Sequence, residues 1–185
     1  MAKDSKVLIN YDNKTIYIGD FIDKDSMADV NWALIYMMKE DDKNDEEKKD
    51  FKRKPILIYI NSRGGSLYDM WSLVDLMKMS KTPIHTYCTG YAFSAGFKIF
   101  LAGHERFATK NSVMMYHQLS SGFGGCYADI KEQTTELDRN QEDVESFVLS
   151  ETKITAKKLK EIRETKTDWY IHSEDYEKFG IATII

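Results

Sequence analysis

The sequence is poor in cysteine and proline. It contains two cysteines, Cys88 and Cys126, and two prolines, Pro55 and Pro83, in 185 residues. The cysteines form neither a disulfide framework nor a regularly spaced set of metal ligands, so we expect a reducing, cytoplasmic compartment and no metal. No stretch rich in proline, glycine and serine divides the chain, so we expect a single domain over residues 1–185.

Long apolar runs and an excess of basic residues are also absent. No apolar run approaches the roughly 18 residues that a membrane-spanning helix needs, and residues 1–6 lack the apolar core of a signal peptide. With 26 basic and 30 acidic side chains, the formal net charge is −4. This charge gives no general attraction to nucleic acid or to an acidic membrane surface, so we expect neither partner.

In the first half of the chain the apolar residues alternate between strand-like and helix-like patterns. Residues 56–60 form a continuous apolar run, typical of a strand buried on both faces of a parallel sheet. Helical spacing begins at Leu67, and a further strand is predicted over 84–88. The earlier predicted elements are short strands at 7–9 and 15–18 and a helix capped by Ser26. Repeated strand–helix–strand order predicts an α/β fold with right-handed crossovers.

Two segments of the chain carry few core residues. Residues 39–54 are almost all charged, with mixed signs, so we expect a solvated loop or an extension of the preceding helix. The helix predicted over about 127–150 has few apolar positions, so we expect it to project and to be buried against another subunit. The remaining predicted elements are strands at 106–108, 113–116 and 181–185, a helix at 156–164 capped by Thr155, and a short helix capped by Ser173.

Ser94 lies at the corner between a strand-like and a helix-like segment, within residues 90–96 (GYAFSAG). A hydroxyl at such a corner is exposed at a strand end, close to the free N–H groups of the following helix. This placement indicates a nucleophile, although Ala92 stands where the usual nucleophile-elbow pattern has glycine. The alternative is a tight turn in which Ser94 only caps the helix.

A nucleophilic serine needs a neutral imidazole and a carboxylate that orients this imidazole. Among four histidines, His117 is a candidate because it ends a strand just before a glycine-rich stretch, where strand ends meet in an open α/β sheet. Asp168 is a candidate carboxylate because it lies between a polar segment and Trp169. A structural histidine and a surface aspartate are the alternatives.

Acyl transfer also needs two backbone N–H groups that stabilise the oxyanion. The N–H of Ala95, directly after Ser94, is one candidate, and the Gly64-Gly65 turn at another strand end can supply the second. The competing interpretation of this turn is a phosphate-binding loop, but the sequence lacks both common glycine-rich nucleotide motifs. We therefore expect no cofactor.

Four short motifs follow one another along the chain. They are residues 59–66 (YINSRGGS), 90–96 (GYAFSAG), 114–118 (MMYHQ) and a C-terminal stretch over about 165–181. Together they resemble the motif series of the ClpP family, the serine-protease subunits of ATP-dependent Clp proteases, from about residue 7 to residue 184. The resemblance implies a ClpP/crotonase-like α/β fold of repeated ββα units, in which the long helix is a projecting handle.

The resemblance also implies roles for individual residues. Ser94 is then the nucleophile, His117 the general base and later the acid, and Asp168 the residue that orients the imidazole. The remaining implied roles are an oxyanion hole formed by the N–H groups of Gly65 and Ala95, and a substrate strand paired with Ser120, Ser121 and Gly122. The implied partners are unfolded polypeptides, further copies in heptameric rings stacked as a tetradecamer, and an AAA+ Clp ATPase.

Two positions depart from the family pattern. Arg63 and Leu119 stand where the family has proline, which frees a backbone that proline would stiffen. The main alternative to an active serine endopeptidase is therefore a weak or inactive ring subunit that assembles with an active relative. Two further alternatives are acyl-CoA chemistry on the same superfold and a catalytic dyad of Ser94 and Lys98.

Overall fold

The architecture is an α/β arrangement built on one mixed sheet. A computed structural model describes residues 6–185, so the expectation about a signal peptide falls almost wholly on a segment outside the described residues. In the described part of the chain the sheet has eight strands. They are β1 (Lys6–Asn10), β2 (Thr15–Ile22), β3 (Ile56–Gly65), β4 (Ile84–Phe93), β5 (Glu105–Ala108), β6 (Val113–Tyr116), β7 (Trp169–Ile171) and β8 (Thr183–Ile184).

Six helices accompany the sheet within residues 6–185. They are α1 (Lys24–Glu47), α2 (Leu67–Met79), α3 (Ala95–Leu101), α4 (Tyr127–Glu151), α5 (Ala156–Thr165) and α6 (Ser173–Tyr176). Between residues 6 and 185, no helix combines the length and the apolar character that crossing a membrane requires. In α4 the buried residues begin only at Asn140, so the first half of this helix is largely exposed.

The sheet is parallel at its centre, as the strand–helix order predicts. Its strands follow the order β1-β2-β3-β4-β5-β8, and β6 and β7 lie off this path. The long strand β4 has two successive parallel partners: its first half pairs with β5, and its last three residues pair with β6. β7 then adds to β6 in antiparallel orientation. The carboxyl end of β4 is therefore held beside the carboxyl end of β6.

The prediction that the run 56–60 is buried on both faces is wrong. Ile56, Ile58 and Ile60 are fully buried beneath the helices, whereas the alternate residues Leu57 and Tyr59 are only half-buried. Aromatic rings cover the second face instead: Tyr59 stacks on Tyr87 at 4.8 Å between ring centroids, and Tyr87 stacks on Phe107 at 5.0 Å. β3 also continues through the predicted turn, since it pairs with β2 as far as Gly65.

Three predicted termini shift by a few residues. α1 is capped by Asp23 and not by Ser26, because the Asp23 carboxylate accepts the Ser26 N–H at 2.9 Å while the Ser26 hydroxyl accepts the Asp23 N–H at 3.0 Å. This is a capping box, in which the serine occupies the third helical position. Ser173 is likewise the first residue of α6, whose cap is His172. Only Thr183–Ile184 of the predicted last strand pair with the sheet.

The charged segment 39–54 divides between the end of α1 and an irregular connection to β3. Arg53, in this connection, donates to the carboxylates of Asp42 at 2.7 Å and Asp45 at 2.8 Å. The same guanidinium donates to the Thr82 hydroxyl at 3.2 Å. These hydrogen bonds hold the connection against α1 and against the turn before β4.

A buried carboxylate lies beneath this connection. Asp41, whose side chain is 2% exposed, forms an ion pair with Lys14 and accepts the Thr82 hydroxyl at 2.8 Å. The contact with Lys14 joins α1 to the β1–β2 turn, and the contact with Thr82 joins α1 to the turn before β4. A buried carboxylate with two partners is costly to disturb, because removing one partner leaves the others without compensation.

We expect Asp41→Ala to lower the free energy of unfolding by about 3 kcal/mol, because the Lys14 ammonium and the Thr82 hydroxyl lose their shared acceptor. Asp42→Ala is the matched control: this carboxylate is half exposed and contacts Arg53 alone, so its loss should cost less than about 1 kcal/mol. Urea denaturation measures the free energy of unfolding of both variants. An equal loss in the two variants would contradict a stabilising role for the buried pair.

Candidate active site

The corner between β4 and α3 places Ser94 in an unusual backbone conformation. Its φ is 52° and its ψ is −117°, a region that residues other than glycine rarely occupy. Its N–H donates to the Met115 carbonyl at 2.9 Å. Ser94 occupies the N-cap position of α3, but its side chain makes no capping hydrogen bond to the helix, so capping is not what the hydroxyl does here. Backbone strain of this kind persists where the surrounding structure imposes it.

The Gly64-Gly65 turn lies directly against this corner. Gly64 has a φ of +95°, and a Cβ at this position would lie 2.7 Å from the Phe93 carbonyl oxygen and 2.9 Å from the Ala95 nitrogen. A Cβ on Gly65, whose φ is +155°, would overlap the Ile22 carbonyl. Two glycines are therefore required here, and the Gly64 backbone lies close to the N–H of Ala95.

His117 is brought to Ser94 by the β4–β6 pairing. Phe93 ends β4 in register with Met115, and β6 runs one residue further, so Ser94 and His117 follow the ends of neighbouring strands with an offset of one residue. The Nε2 atom of His117 lies 2.8 Å from the Oγ atom of Ser94, which is hydrogen-bond distance. The predicted serine–imidazole pair is therefore present in the structure.

Asp168 is brought to His117 by β7, a strand that the sequence analysis did not predict. β7 pairs antiparallel with β6, and Trp169 is in register with Tyr116. The preceding Asp168 therefore lies beside the following His117, with 3.6 Å between Asp168 Oδ1 and His117 Nδ1. This separation exceeds a hydrogen bond, and the carboxylate is 55% exposed, so it acts on the ring through its charge.

The environment keeps the imidazole neutral. Burial lowers the pKa of His117, the charge of Lys98 lowers this pKa further, and the Asp168 carboxylate raises it. A neutral imidazole can accept the proton of a serine hydroxyl at neutral pH, whereas an imidazolium cannot. The electrostatics of the site therefore suit a base at position 117.

Lys98 is a buried cation directly behind the site. Its side chain is fully buried within α3, between Phe97 and Ile99, and its Nζ atom lies 4.8 Å from the centroid of the Tyr116 ring. Burial lowers the pKa of Lys98 to about 7. From the sequence, Lys98 was a candidate only as a partner of Ser94. Its burial behind the site could have been predicted because it is a lysine inside an otherwise apolar helix.

A cavity of about 730 Å³ opens beside Ser94. Gly65, Ser94, His117, Ser120 and Ser121 line it. Its other lining residues are the apolar Phe21, Leu67, Met115, Leu119, Phe123 and Leu137, together with the polar or small Arg63, Gly64, Ser66, Tyr68, Gln133, Glu136 and Asn140. Three predicted site residues, Ala95, Gly122 and Asp168, are not among them. The predicted substrate-pairing segment 120–122 is exposed and pairs as a strand with no other part of residues 6–185.

A serine, a histidine and an aspartate brought together at the edge of a sheet resemble the constellation of the serine hydrolases, which is defined by geometry and not by order along the chain. The sequence profile of the Clp protease family matches residues 4–185. The chain belongs to the Clp protease family.

Relatives and solved structures agree with this assignment. The chain is 30% identical over 175 residues to the "ATP-dependent Clp protease proteolytic subunit 1" of Prochlorococcus marinus, with 93% of this chain and 83% of that protein covered. It is 27% identical to the protein of the same description from Rhodopirellula baltica over 92% of this chain and 71% of that protein. The fold is similar to that of a ClpP1 mutant from Listeria monocytogenes, with a TM-score of 0.78, 24% identity and coverage of 95% and 92%. The predicted family and the predicted ClpP fold are confirmed.

We expect Lys98→Met to raise the pKa of His117, because the substitution removes the cationic charge that lowers it while keeping a similar side-chain volume. NMR titration of the His117 ring measures this pKa directly. Lys110→Met, which removes an exposed lysine, is the control and should leave the titration unchanged. An unaltered His117 pKa in Lys98→Met would show that the two groups are not coupled.

The same substitution should stabilise the fold at neutral pH. The pKa of Lys98 is about 7 in the folded state, against an ordinary 10.5, so the unfolded chain binds more protons between these values. The free energy of unfolding of the unmodified protein therefore rises with pH from about 7 to 10.5, and the destabilisation is complete below pH 7. Urea denaturation at pH 7 should show Lys98→Met to be more stable than the unmodified protein by about 1–4 kcal/mol. Equal free energies of unfolding of the two proteins would contradict a buried charge at Lys98.

Proposed function

We propose that this chain is a ClpP-like serine endopeptidase that hydrolyses peptide bonds of unfolded polypeptides. In this proposal Ser94 is the nucleophile, His117 the general base and then the general acid, and Asp168 the group that favours the imidazolium. The observation that carries the proposal is the 2.8 Å contact between Ser94 Oγ and His117 Nε2 at a strained strand–helix corner. The family membership supports a peptidase, and the side-chain geometry supports the serine type.

The proposed reaction begins with transfer of the Ser94 hydroxyl proton to Nε2 of His117 as Oγ attacks the substrate carbonyl. The imidazolium then donates this proton to the leaving amine, and an acyl-enzyme ester remains on Ser94. Water, activated by the neutral imidazole, hydrolyses the ester and restores the hydroxyl. The Asp168 carboxylate, 3.6 Å from Nδ1, lowers the energy of the imidazolium formed in both steps.

The backbone N–H groups of Gly65 and Ala95 are the proposed oxyanion hole. The close approach of the Gly64 backbone to the Ala95 nitrogen supports this assignment, because it brings the glycine turn to the same corner as the nucleophile. Removing one such donor typically reduces the rate about 100- to 1,000-fold. Glycine at both turn positions permits this close packing, because a Cβ at either position would overlap neighbouring backbone atoms.

The exposed segment that contains Ser120, Ser121 and Gly122 is the proposed docking edge for an extended substrate. Ser120 and Ser121 line the cavity beside Ser94, and the segment lacks a strand partner in the described chain. An unfolded peptide could pair with it through main-chain hydrogen bonds, which are independent of the substrate side chains. This arrangement suits broad substrate selection.

The exposed first half of α4 supports an oligomeric chamber. Tyr127 is 82% exposed and Ile130 is 43% exposed, so this half of the helix offers apolar surface that the described chain does not cover. We infer heptameric rings that stack as a tetradecamer, with an AAA+ Clp ATPase as a partner. The two free cysteines, one of them exposed, fit a reducing cytoplasm.

A second candidate function is that of a weakly active or inactive ring subunit that assembles with an active relative. The exposed Asp168 carboxylate and its 3.6 Å separation from His117 favour this candidate, since a triad works best when that contact is a hydrogen bond. Other chemistries have less support. Glu136 is the one carboxylate among the described cavity-lining residues, which disfavours acyl-CoA chemistry by a carboxylate pair. The Ser94 hydroxyl contacts His117, which disfavours a dyad with Lys98.

Labelling and hydrolysis test the proposal together. A small fluorophosphonate should modify Ser94, as peptide mapping will show, because His117 activates the hydroxyl. The same sample should hydrolyse an unstructured fluorogenic peptide and should have the mass of a seven- or fourteen-subunit assembly by light scattering. Ser94→Ala should lose both activities while it keeps the assembly.

The outcomes separate the two candidates. An assembled protein whose Ser94 is labelled and which turns over peptide supports the endopeptidase. An assembled protein with an unlabelled Ser94 and no turnover overturns it and supports the inactive subunit.

A further inference from the structure

Gln141 in α4 contacts the backbone next to the candidate active site. Gln141 is only 8% exposed. Its Oε1 atom accepts the N–H of Leu119 at 2.8 Å. Leu119 lies between His117 and the serines that line the cavity. A buried glutamine that accepts a loop N–H so close to the site calls for an explanation beyond packing.

The orientation of the Gln141 amide is fixed by its other partners. Its Nε2 atom donates to Glu145 Oε1 at 2.8 Å and to the Tyr116 hydroxyl at 3.4 Å. Glu145 also accepts from Arg163 of α5 at 3.0 Å. Because a carboxylate can only accept, the amide nitrogen must face Glu145, and the amide oxygen must then face Leu119.

The segment that Gln141 contacts has no regular secondary structure. Residues 117–124 lie in neither a helix nor a strand, and residues 120–124 are exposed. A segment of this kind has no ladder of main-chain hydrogen bonds to fix its position, so single contacts to a rigid element weigh more. Gln141 supplies such a contact, and the segment is also held at its start, where it continues from the end of β6.

We propose that Gln141 is a positioning residue for the peptide substrate. It holds the Leu119 backbone so that the residues that follow present their main chain at the edge of the cavity. The inference rests on the proposed peptidase function and on the docking of an extended substrate at residues 120–122. Gln141 does not contact Ser94, so it acts on peptide binding and leaves the reactivity of the hydroxyl to His117.

The test compares two readouts in Gln141→Met, which keeps the side-chain volume but removes the acceptor and the donors. We expect the KM for an unstructured fluorogenic peptide to rise about fivefold to tenfold, the effect of losing one buried hydrogen bond. The rate at which a small fluorophosphonate modifies Ser94 should change less than about twofold, because this reagent does not pair with residues 120–122. Glu142→Met, an exposed neighbour on the same helix, is the matched control and should alter neither readout.

Leu119→Pro provides a rescue. Proline fixes φ through its ring and has no N–H, so proline at position 119 restrains this backbone covalently and leaves no donor for Gln141 to satisfy. Adding Leu119→Pro to Gln141→Met should return the KM towards that of the unmodified protein. A KM in Gln141→Met equal to that of Glu142→Met would overturn the inference, and so would a parallel loss of peptide turnover and of labelling, which indicates a general structural role.

Hydrogen exchange tests the contact without any activity. In the unmodified protein the Leu119 amide should exchange at least tenfold more slowly than the amides of Ser120 and Ser121, as follows from its buried acceptor. Equal exchange of the three amides would overturn the inference even if a variant failed to fold. Failure of the proposed function has a different signature, since Ser94 of the unmodified protein would then remain unlabelled while the Leu119 amide stays protected.

Discussion

The parallel pairing of β6 with the last three residues of β4 is the constraint on which the candidate site depends. This pairing sets Phe93, the last residue of β4, opposite Met115, and β6 ends one residue later, at Tyr116. One chain turns into α3 at Ser94, and the other leaves the sheet at His117. The hydroxyl and the imidazole meet because the two strands end within one residue of each other, and the Ser94 N–H bond to the Met115 carbonyl fixes the register at the corner itself. A shift of one residue would turn one of the two side chains to the opposite face.

The elements that could be predicted from the sequence are those with a strong local pattern. The strands that lead to Ser94 and His117 follow from apolar runs, and the end of β3 follows from an apolar run that leads into Gly64-Gly65. Asp168 could not be assigned from its surroundings, because β7 has only three residues and no apolar run announces it. Its neighbours made Asp168 only a candidate, and the motif resemblance implied its role. The cap of α1 was misplaced for a similar reason, since a capping box contains two polar residues and the pattern alone does not say which comes first.

Buried polar residues behind the site also escape a pattern-based analysis, which assigns polar residues to the surface. Lys98 lies within the apolar helix α3, and Asn140 and Gln141 begin the buried half of α4. Each is costly to bury, and a hydrophobic side chain of similar size would stabilise the fold more. Their positions share one property: Lys98 lies against Tyr116, Asn140 lines the cavity, and Gln141 contacts Leu119. These three buried polar residues therefore lie where the core meets the site, whereas others, such as Asp41 and Thr82, lie elsewhere in the fold.

The electrostatics bear on whether the long contact between Asp168 and His117 excludes catalysis. Burial and Lys98 lower the pKa of His117 against the influence of Asp168, so the imidazole is a neutral base at neutral pH without help from the carboxylate. The carboxylate matters only once the imidazolium forms, when its charge stabilises the new cation. A charge at 3.6 Å still does so, although less well than a hydrogen-bonded one. The separation therefore affects how fast the proposed reaction runs, while the group that accepts the serine proton is already in place.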